Sequence, residues 1–213
     1  MTKELRYIAI EGVIGAGKTT LAKMLAEKYS SRLILEKFDE NPFLTRFYEN
    51  KKGYAFHTQI FFLLSRYKQQ QDLQQVDLFH NIIVSDYIFE KDKIFAYLNL
   101  QDDELKLYET LITSIEKNIT PPDLVIYLQS STERLMKNIF IRGRSFENNM
   151  DENYIKNLND AYNHYFFRYK SSPVLIVNST EIDFVNNQKH FNNLCEEIFR
   201  SDRASVEYYN PQK

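Results

Sequence analysis

A glycine-rich segment near the start of the chain restricts the fold more than any other part of the sequence. Residues 12–19 read Gly-Val-Ile-Gly-Ala-Gly-Lys-Thr and match the pattern G-x-x-x-x-G-K-[ST] without a gap. An apolar run over residues 7–10 precedes the segment, and a helical pattern with Leu21, Met24 and Leu25 follows it. A strand, a glycine-rich turn and a helix in this order form a loop that binds phosphate, whereas the same residues in another context would be a chance turn.

The residue types of this segment suit a nucleoside triphosphate. Glycines allow backbone N–H groups to turn toward a phosphate chain, and the N-terminus of the following helix adds a favourable dipole. Lys18 is predicted to reach the β- and γ-phosphates, and the Thr19 hydroxyl is predicted to bind Mg²⁺. The predicted ATP-binding loop consists of Gly12, Val13, Ile14, Gly15, Ala16, Gly17, Lys18, Thr19 and Thr20.

Further apolar runs indicate buried strands, and helical patterns lie between them. Strands that alternate with helices are typical of a parallel sheet with helices on both faces. We therefore predict an α/β fold of the P-loop NTPase class, with three layers, five parallel strands and a lid that contains arginines. The other strands are predicted over 32–35, 81–84, 124–128 and 174–177, a single domain over 1–200, the lid over about 142–150, and a disordered tail over 201–213.

Composition argues against several classes of function. The chain has 213 residues and a net charge of 27 − 29 = −2, so we expect no broad surface for nucleic acid or anionic membranes. No apolar run approaches the roughly 18 residues that a membrane-spanning helix needs, and the N-terminus lacks the apolar segment of a signal peptide. Cys195 is the only cysteine, which rules out an internal disulfide framework and suits a reducing compartment. We therefore expect a cytoplasmic protein.

A phosphate loop alone does not distinguish a switch, a motor and a small-molecule kinase. The length of 213 residues disfavours a subunit of a motor ring. A GTPase should carry the guanine-specifying sequence N-K-x-D after a central strand, but residues 130–133, which follow the fourth predicted strand, read Ser-Ser-Thr-Glu. The remaining possibility among these is a kinase that phosphorylates a small acceptor.

Acidic residues after two predicted strands and basic residues between two predicted helices fit a kinase that phosphorylates a small acceptor. Glu36 and Asp86 follow the second and third predicted strands, at the sheet edge where α/β folds bind ligands. Glu36 could be the base for an attacking hydroxyl, and Asp86 could be linked to Mg²⁺. Arg142 and Arg144 flank a glycine between two predicted helices, and guanidinium groups there could neutralise charge on a transferred phosphoryl group. Spacing alone leaves open a solvent-facing Glu36 and a merely basic surface turn.

The sequence resembles the deoxynucleoside kinase family of P-loop kinases from about residue 7 to about residue 199, nearly the whole chain. Residues 36–44, Glu-Lys-Phe-Asp-Glu-Asn-Pro-Phe-Leu, are similar to the E-x-x-D-x-N-P-x-L segment of the bacterial members. Residues 55–66 resemble the F-x-x-Q…R helix of the family, and residues 142–144 match its R-G-R lid. These motifs occur in the order that the family shows.

The resemblance implies a role for individual residues. Glu36 corresponds to the general base of the family, and Tyr48 and Glu147 correspond to residues that contact the sugar 3′-hydroxyl. Gln59 corresponds to the residue that reads the edge of the nucleobase, and Arg66 lies close to the base pocket. The resemblance also implies a homodimer. Asp183 and Phe184 are similar to the loop that encloses the ATP adenine.

The chain departs from the family after the third predicted strand. The family has an acid, an arginine and a Ser or Thr there, followed by another acid, whereas residues 85–91 read Ser-Asp-Tyr-Ile-Phe-Glu-Lys. In an alignment without a gap, Asp86 lies over the arginine and Lys91 lies over the acid that contacts the base. With a one-residue deletion, Asp86 becomes the metal-linked acid and Tyr87 replaces the arginine. We favour the second alignment, because the chemistry requires the carboxylate at the strand end.

These observations predict an enzyme that uses ATP and Mg²⁺ to phosphorylate the 5′-hydroxyl of a deoxynucleoside. The amide of Gln59 offers a donor and an acceptor, which suits adenine, guanine or cytosine, and residues 39–44 resemble the purine-specific bacterial members. One alternative is a nucleoside monophosphate kinase of the thymidylate kinase type, which would need cations where this chain offers Glu36, Tyr48 and Glu147. Another alternative is a regulatory module that only binds nucleotide, and the missing arginine after Asp86 keeps it open.

Overall fold

The computed structural model describes residues 5–73, 80–147 and 150–211. These residues form a parallel sheet flanked by helices, in agreement with the predicted α/β fold. The strands are β1 (Tyr7–Gly12), β2 (Arg32–Ile34), β3 (Ile83–Ser85), β4 (Leu124–Gln129), β5 (Val174–Asn178) and β6 (Val206–Tyr209). The α-helices are α1 (Lys18–Lys28), α2 (Leu44–Glu49), α3 (Lys51–Leu73), α4 (Lys91–Asn99), α5 (Asp102–Ile115), α6 (Thr132–Arg142), α7 (Glu152–Phe167) and α8 (Gln188–Ile198).

The strand order determines where the site lies. It is β2-β3-β1-β4-β5-β6, and every neighbouring pair is parallel. After β1 the chain forms β2 and β3 on one side of β1, and it then crosses to form β4 on the other side. The carboxyl end of β1 therefore lies where the direction of winding reverses, the place at which open α/β sheets bind ligands.

The core lies on both faces of the sheet. All six residues of β1 are buried, and so are five of the six residues of β4. Strands covered on both faces are apolar throughout rather than alternating, which explains why their sequences read as unbroken apolar runs. Within the part of the chain that the structure describes, none of the helices combines the length and the apolar content needed to cross a membrane.

The sheet has one strand more than the five that the sequence predicts. β6 pairs with β5, with Val174 opposite Val206, so the prediction of a disordered tail is wrong for residues 206–209. Arg203 stabilises this edge, because its Nη1 donates to Glu207 Oε2 at 2.7 Å and its Nη2 donates to the carbonyl of Ile198 at 2.9 Å. Four half-exposed residues at a sheet edge leave little apolar signal in a sequence. Residues 212–213 of the predicted tail, and 148–149 of the predicted lid, lie outside the described residues.

Helices α2 and α4 were not predicted. α2 has only six residues, too few for a helical period to be recognised. α4 begins with Lys91 and Asp92, and both are buried, so its first turn lacks the polar outer face of an amphipathic helix. Both helices contribute side chains to the cavity that contains Glu36.

Candidate active site

The glycine-rich loop connects β1 to α1 in a backbone conformation that needs glycine. Gly15 and Gly17 have φ angles of +87° and +96°. A Cβ atom at Gly15 would lie 2.7 Å from the carbonyl oxygen of Leu135 in α6, so a larger residue would displace that helix. Asn138 of α6 also donates from Nδ2 to the carbonyl of Gly15 at 2.8 Å. α6, which leads into the lid, is thus packed directly on the phosphate loop.

Lys18 lies at the start of α1 with its ammonium group over the loop. Its Nζ donates to the carbonyls of Gly12 and Val13 at 2.7 and 3.1 Å. Burial, and secondarily the charge of Lys91, lowers the pKa of Lys18 to about 8. A weakly hydrated ammonium group in this position is ready to exchange loop carbonyls for phosphate oxygens.

Asp86 connects the phosphate loop to Glu36. Its Oδ2 accepts a hydrogen bond from the Thr19 hydroxyl at 2.5 Å, and its Oδ1 accepts one from the backbone N–H of Glu36 at 2.7 Å. A hydroxyl and a carboxylate oxygen side by side are the hard oxygen ligands that Mg²⁺ prefers, so Thr19 and Asp86 fit a magnesium ion bound to nucleotide phosphates. The position also fits the alignment in which Asp86 is the metal-linked acid.

Glu36 is ion-paired to two cations. Its Oε1 accepts hydrogen bonds from Nε and Nη2 of Arg66 at 2.9 and 2.6 Å, and its Oε2 accepts one from Lys91 Nζ at 2.9 Å. Burial by itself would raise the pKa of Glu36, but Lys91 and Arg66 outweigh it and hold the pKa well below its ordinary value. Glu36 is therefore ionised and fixed in orientation.

Asp92 is fully buried and holds both Arg66 and Gln59. Arg66 Nη1 donates to Asp92 Oδ1, and Gln59 Nε2 lies 2.8 Å from both the carbonyl oxygen and Oδ2 of Asp92. Both partners are acceptors, so this contact fixes which end of the Gln59 amide carries the nitrogen. The two acceptors occupy its hydrogens. Gln59 therefore presents its Oε1 oxygen to a base, not a donor and an acceptor together as the sequence suggested.

Glu147 contacts both lid arginines at the wall of the acceptor cavity. Arg142 Nη2 donates to both carboxylate oxygens of Glu147 at 2.6 Å, and Arg144 Nη1 lies 3.6 Å from Oε1. The Arg144 guanidinium also lies 3.8 Å from the centre of the Phe38 ring. Tyr48 stacks on Phe146, with ring centres 5.9 Å apart. Arg144 and Phe146 thus connect the lid to the residues after β2 by a cation–π contact and by a ring contact.

Two cavities meet at the phosphate loop, and together they contain most of the predicted site residues. An acceptor cavity is lined by Glu36, Tyr48, Gln59, Arg66, Asp86 and Glu147, and a donor cavity is lined by Gly15, Ala16, Gly17, Thr20, Asp183 and Phe184. Lys18, Thr19, Arg142 and Arg144 line both cavities. Of the predicted ATP-binding residues, Ile14 lines the acceptor cavity instead, and Gly12 and Val13 are buried and line neither.

The donor cavity is bounded by the loop after β5. Phe184 packs close to the phosphate loop, because a Cβ atom at Gly17 would lie 3.2 Å from its ring. Asp183 holds this loop together, since its Oδ1 accepts hydrogen bonds from the backbone N–H groups of Val185 and Asn186 at 3.2 and 2.9 Å. Both residues line the donor cavity, and their predicted role in enclosing the adenine stays a prediction.

Sequence reasoning did not assign site roles to several residues that line or support the acceptor cavity. Lys91 contacts Glu36, Asp92 contacts Arg66, and the rings of Phe62 and Phe95 line the cavity wall. In the sequence, the difference from the family pattern after Asp86 pointed to Lys91. It did not show that the Lys91 side chain is buried. Phe89 does not line this cavity and is part of a separate apolar cluster with Leu63 and Tyr108.

A phosphate loop, a carboxylate at the end of β2 and an arginine-containing lid between two cavities define a P-loop kinase with separate donor and acceptor sites. The family model of the deoxynucleoside kinases matches residues 8–201. The chain therefore belongs to the deoxynucleoside kinase family, and it is a kinase. The match confirms the resemblance seen in the sequence motifs.

Individual relatives agree with this assignment over nearly their full length. A deoxyguanosine kinase from Bacillus subtilis is 34% identical over 197 residues, which cover 90% of this chain and 95% of that protein. A deoxyadenosine kinase from Lactobacillus acidophilus is 30% identical over 210 residues, which cover 91% and 95%. A solved structure of deoxyadenosine kinase from M. mycoides with dCMP and dCDP superposes with a TM-score of 0.80 at 27% identity, covering 90% of this chain and 98% of that one.

Proposed function

We propose that this kinase transfers the γ-phosphoryl group of ATP to the 5′-hydroxyl of a deoxynucleoside, as a step of nucleotide salvage. The observation that carries the proposal is the junction of the two cavities. Lys18, Thr19, Arg142 and Arg144 face both of them, so a triphosphate in the donor cavity and a hydroxyl in the acceptor cavity meet among these residues. Phosphoryl transfer needs little more than such alignment and charge stabilisation.

The residues have distinct tasks in this reaction. Glu36 accepts the hydrogen of the 5′-hydroxyl, and its oxygen is aimed by Arg66 and Lys91. The oxygen of that hydroxyl bonds to the γ-phosphorus, and the bond from phosphorus to the β–γ bridging oxygen breaks. Lys18, Arg142 and Arg144 stabilise the negative charge that spreads over the transferred group. Because Arg66 and Lys91 keep Glu36 ionised, its carboxylate can accept the hydroxyl proton as the bond to phosphorus forms.

Mg²⁺ is the cofactor that this arrangement implies. Thr19 and Asp86 would hold it, because their oxygen atoms adjoin each other at the start of α1. A bound magnesium ion would neutralise charge on the β- and γ-phosphates. Asp86 would at the same time hold the backbone of Glu36 in place through its other oxygen.

The acceptor cavity suits a neutral nucleoside better than a nucleoside monophosphate. Glu36 and Glu147 line the acceptor cavity, and a 5′-phosphate there would meet their negative charge. Arg66 does not compensate, since its guanidinium group already bonds to Glu36 and to Asp92. A kinase of the thymidylate kinase type is therefore not favoured, nor is a regulatory module, because the residues that transfer would use, Lys18, Glu36 and the lid arginines, line one cavity.

A purine base is the preferred substrate in this proposal. Two of the relatives reported above carry the names deoxyguanosine kinase and deoxyadenosine kinase. The single acceptor that Gln59 presents would pair with an amino or imino hydrogen on the edge of the base. Phe62 and Phe95 on the cavity wall provide apolar surface for a flat ring.

Initial-rate kinetics with ATP and a panel of acceptors test the function and the pocket together. We expect phosphorylation of deoxyadenosine or deoxyguanosine, less of deoxycytidine, and none of thymidine monophosphate. In Gln59→Ala, kcat/KM for the best nucleoside should fall about tenfold, because one hydrogen bond to the base is lost. Gln69→Ala is the matched control, since Gln69 also lies on α3 but donates to the carbonyl of Leu35.

Two outcomes would contradict these expectations separately. If thymidine monophosphate is the best acceptor, the enzyme is a monophosphate kinase and the proposed function is wrong. If Gln59→Ala keeps the wild-type kcat/KM for every nucleoside, the function stands, but the base does not bind at Gln59.

We also propose that the kinase is a cytoplasmic homodimer that uses an apolar face of α3 and α5. Leu64 of α3 is 57% exposed, and Leu107 and Leu111, one turn apart on α5, are 50% and 40% exposed. Exposed apolar side chains on neighbouring helices are typical of an interface between subunits.

Light scattering after gel filtration tests the dimer. The wild type should have twice the chain mass of 25.5 kDa, and Leu107→Glu/Leu111→Glu should shift it to the single mass because buried carboxylates oppose association. Phe167→Glu, at a residue 75% exposed near the end of α7, is the control and should leave the mass unchanged. A monomeric wild type, or a dimeric double variant, would contradict this interface.

A further inference from the structure

Lys91 is a buried cation between two carboxylates at the acceptor site. It is 4% exposed, its Nζ donates to Glu36 Oε2 at 2.9 Å, and Nζ lies 3.8 Å from Oε1 of the fully buried Glu11. Lysine is almost never fully buried unless it is paired. The side chain also lines the acceptor cavity, so it is not confined to the protein interior.

The two oxygens of Glu36 are not equivalent. Oε1 accepts two hydrogen bonds from Arg66, which use both of its lone pairs, whereas Oε2 accepts a single bond, from Lys91. Oε2 is therefore the oxygen that can still accept the hydrogen of an acceptor hydroxyl. Lys91 and that hydroxyl would share one oxygen atom, which brings the ammonium group to within about 5 Å of the attacking oxygen.

Residues 86–90, which connect β3 to α4, contain no lysine or arginine that could lie beside Glu36 in place of Lys91. Tyr87 follows Asp86 in this loop, and its buried hydroxyl has no hydrogen-bond partner among the described residues. A phenol carries no charge at neutral pH, so it cannot stabilise a phosphoryl group that is becoming more negative. The positive charge instead comes from the first residue of α4.

We infer that Lys91 is a positioning residue of phosphoryl transfer, whose ammonium group holds Oε2 of Glu36 toward the acceptor hydroxyl and supplies positive charge beside the attacking oxygen. This inference rests on the proposed function. In the step, the hydroxyl proton passes to Oε2, the hydroxyl oxygen bonds to the γ-phosphorus, and the bond to the β–γ bridging oxygen breaks. Lys91 keeps its own proton throughout.

A purely structural role for Lys91 makes a different prediction. In that case the ammonium group would only balance the buried charge of Glu11, and its loss would destabilise the fold without a specific effect on turnover. Two substitutions separate charge from packing: Lys91→Met keeps the length of the apolar stem, and Lys91→Arg keeps the charge. The double variant Glu11→Gln/Lys91→Met removes one charge of each sign, so the inference remains testable if Lys91→Met alone does not fold.

The experiment measures kcat and nucleoside KM with the best acceptor of the wild type, alongside thermal unfolding. We expect kcat of Lys91→Met to fall about 100-fold and KM to change by less than about threefold, because the ammonium group acts on the reacting atoms and not on the bound base. The double variant should show the same loss of kcat relative to Glu11→Gln. Lys91→Arg should retain clearly more turnover than Lys91→Met.

Lys93→Met is the matched control. Lys93 lies two residues further along α4, pairs with Glu116 and is about one third exposed, so its loss should leave kcat unchanged. Wild-type kcat in a folded Lys91→Met or double variant would overturn the inference, and so would equal losses in Lys91→Met and Lys91→Arg. A wild type that phosphorylates no deoxynucleoside would overturn the proposed function itself, and the role of Lys91 with it.

Discussion

Replacing Lys18 by alanine should lower kcat at least about 100-fold, because the reaction proposed above would lose the charge that stabilises the transferred phosphoryl group. Lys18 is the only lysine or arginine whose side chain bonds to the phosphate loop among the described residues, where it lies 2.7 Å from the carbonyl of Gly12. Arg142 and Arg144 also face both cavities, but they lie at the end of α6 and just after it rather than on the phosphate loop. They are therefore not expected to replace the missing ammonium group.

The measurement is steady-state ADP release with saturating deoxynucleoside, combined with a thermal melt. The melting temperature should stay close to that of the wild type, because Lys18 bonds to loop carbonyls and forms no part of the apolar core. Lys23→Ala is the control, since Lys23 is exposed on the same helix and should tolerate the change. Turnover within about tenfold of the wild type in folded Lys18→Ala would exclude the loop from catalysis.

The predictable parts of this molecule are those encoded by neighbouring residues. The phosphate loop is contiguous in sequence, and its glycines meet a local steric demand, so residues 12–19 identify it alone. The strands β1, β4 and β5 are buried on both faces, which leaves an apolar run in the sequence. The edge strand β6 lacks that burial, and the stabilising contacts come from backbone pairing and from Arg203.

The charge network of the acceptor site could not be predicted from spacing. Glu36, Arg66 and Lys91 come from the segment after β2, from α3 and from α4, and the Glu36 contacts join residues 30 and 55 positions apart. Only the packing of these elements shows that two cations share one carboxylate. The same packing changes the prediction for Gln59, because its amide nitrogen donates to two oxygens of Asp92 and only its amide oxygen remains for a base.

Because of this network, Glu36→Gln should lower kcat more than the loss of the base alone would. In Glu36→Gln, the amide can still accept a hydrogen bond from Arg66, but its NH₂ group would face the donor of Lys91 or the acceptor hydroxyl. The hydroxyl then has no proton acceptor, and Lys91 loses its nearer carboxylate. We expect kcat to fall roughly 10²–10⁴-fold, while nucleoside KM changes far less, because the proposed contacts to the base come from Gln59 and the cavity wall and not from Glu36 itself.

Two further variants make this result specific to the carboxylate at position 36. Glu36→Asp keeps the charge but withdraws it by one methylene, so its kcat should lie between those of the wild type and Glu36→Gln. Glu40→Gln is the surface control, since Glu40 is half-exposed, pairs with Lys37 and should leave kcat unchanged. A large rise in KM with near-normal kcat in Glu36→Gln would show that the carboxylate orients the nucleoside and that another group accepts the proton.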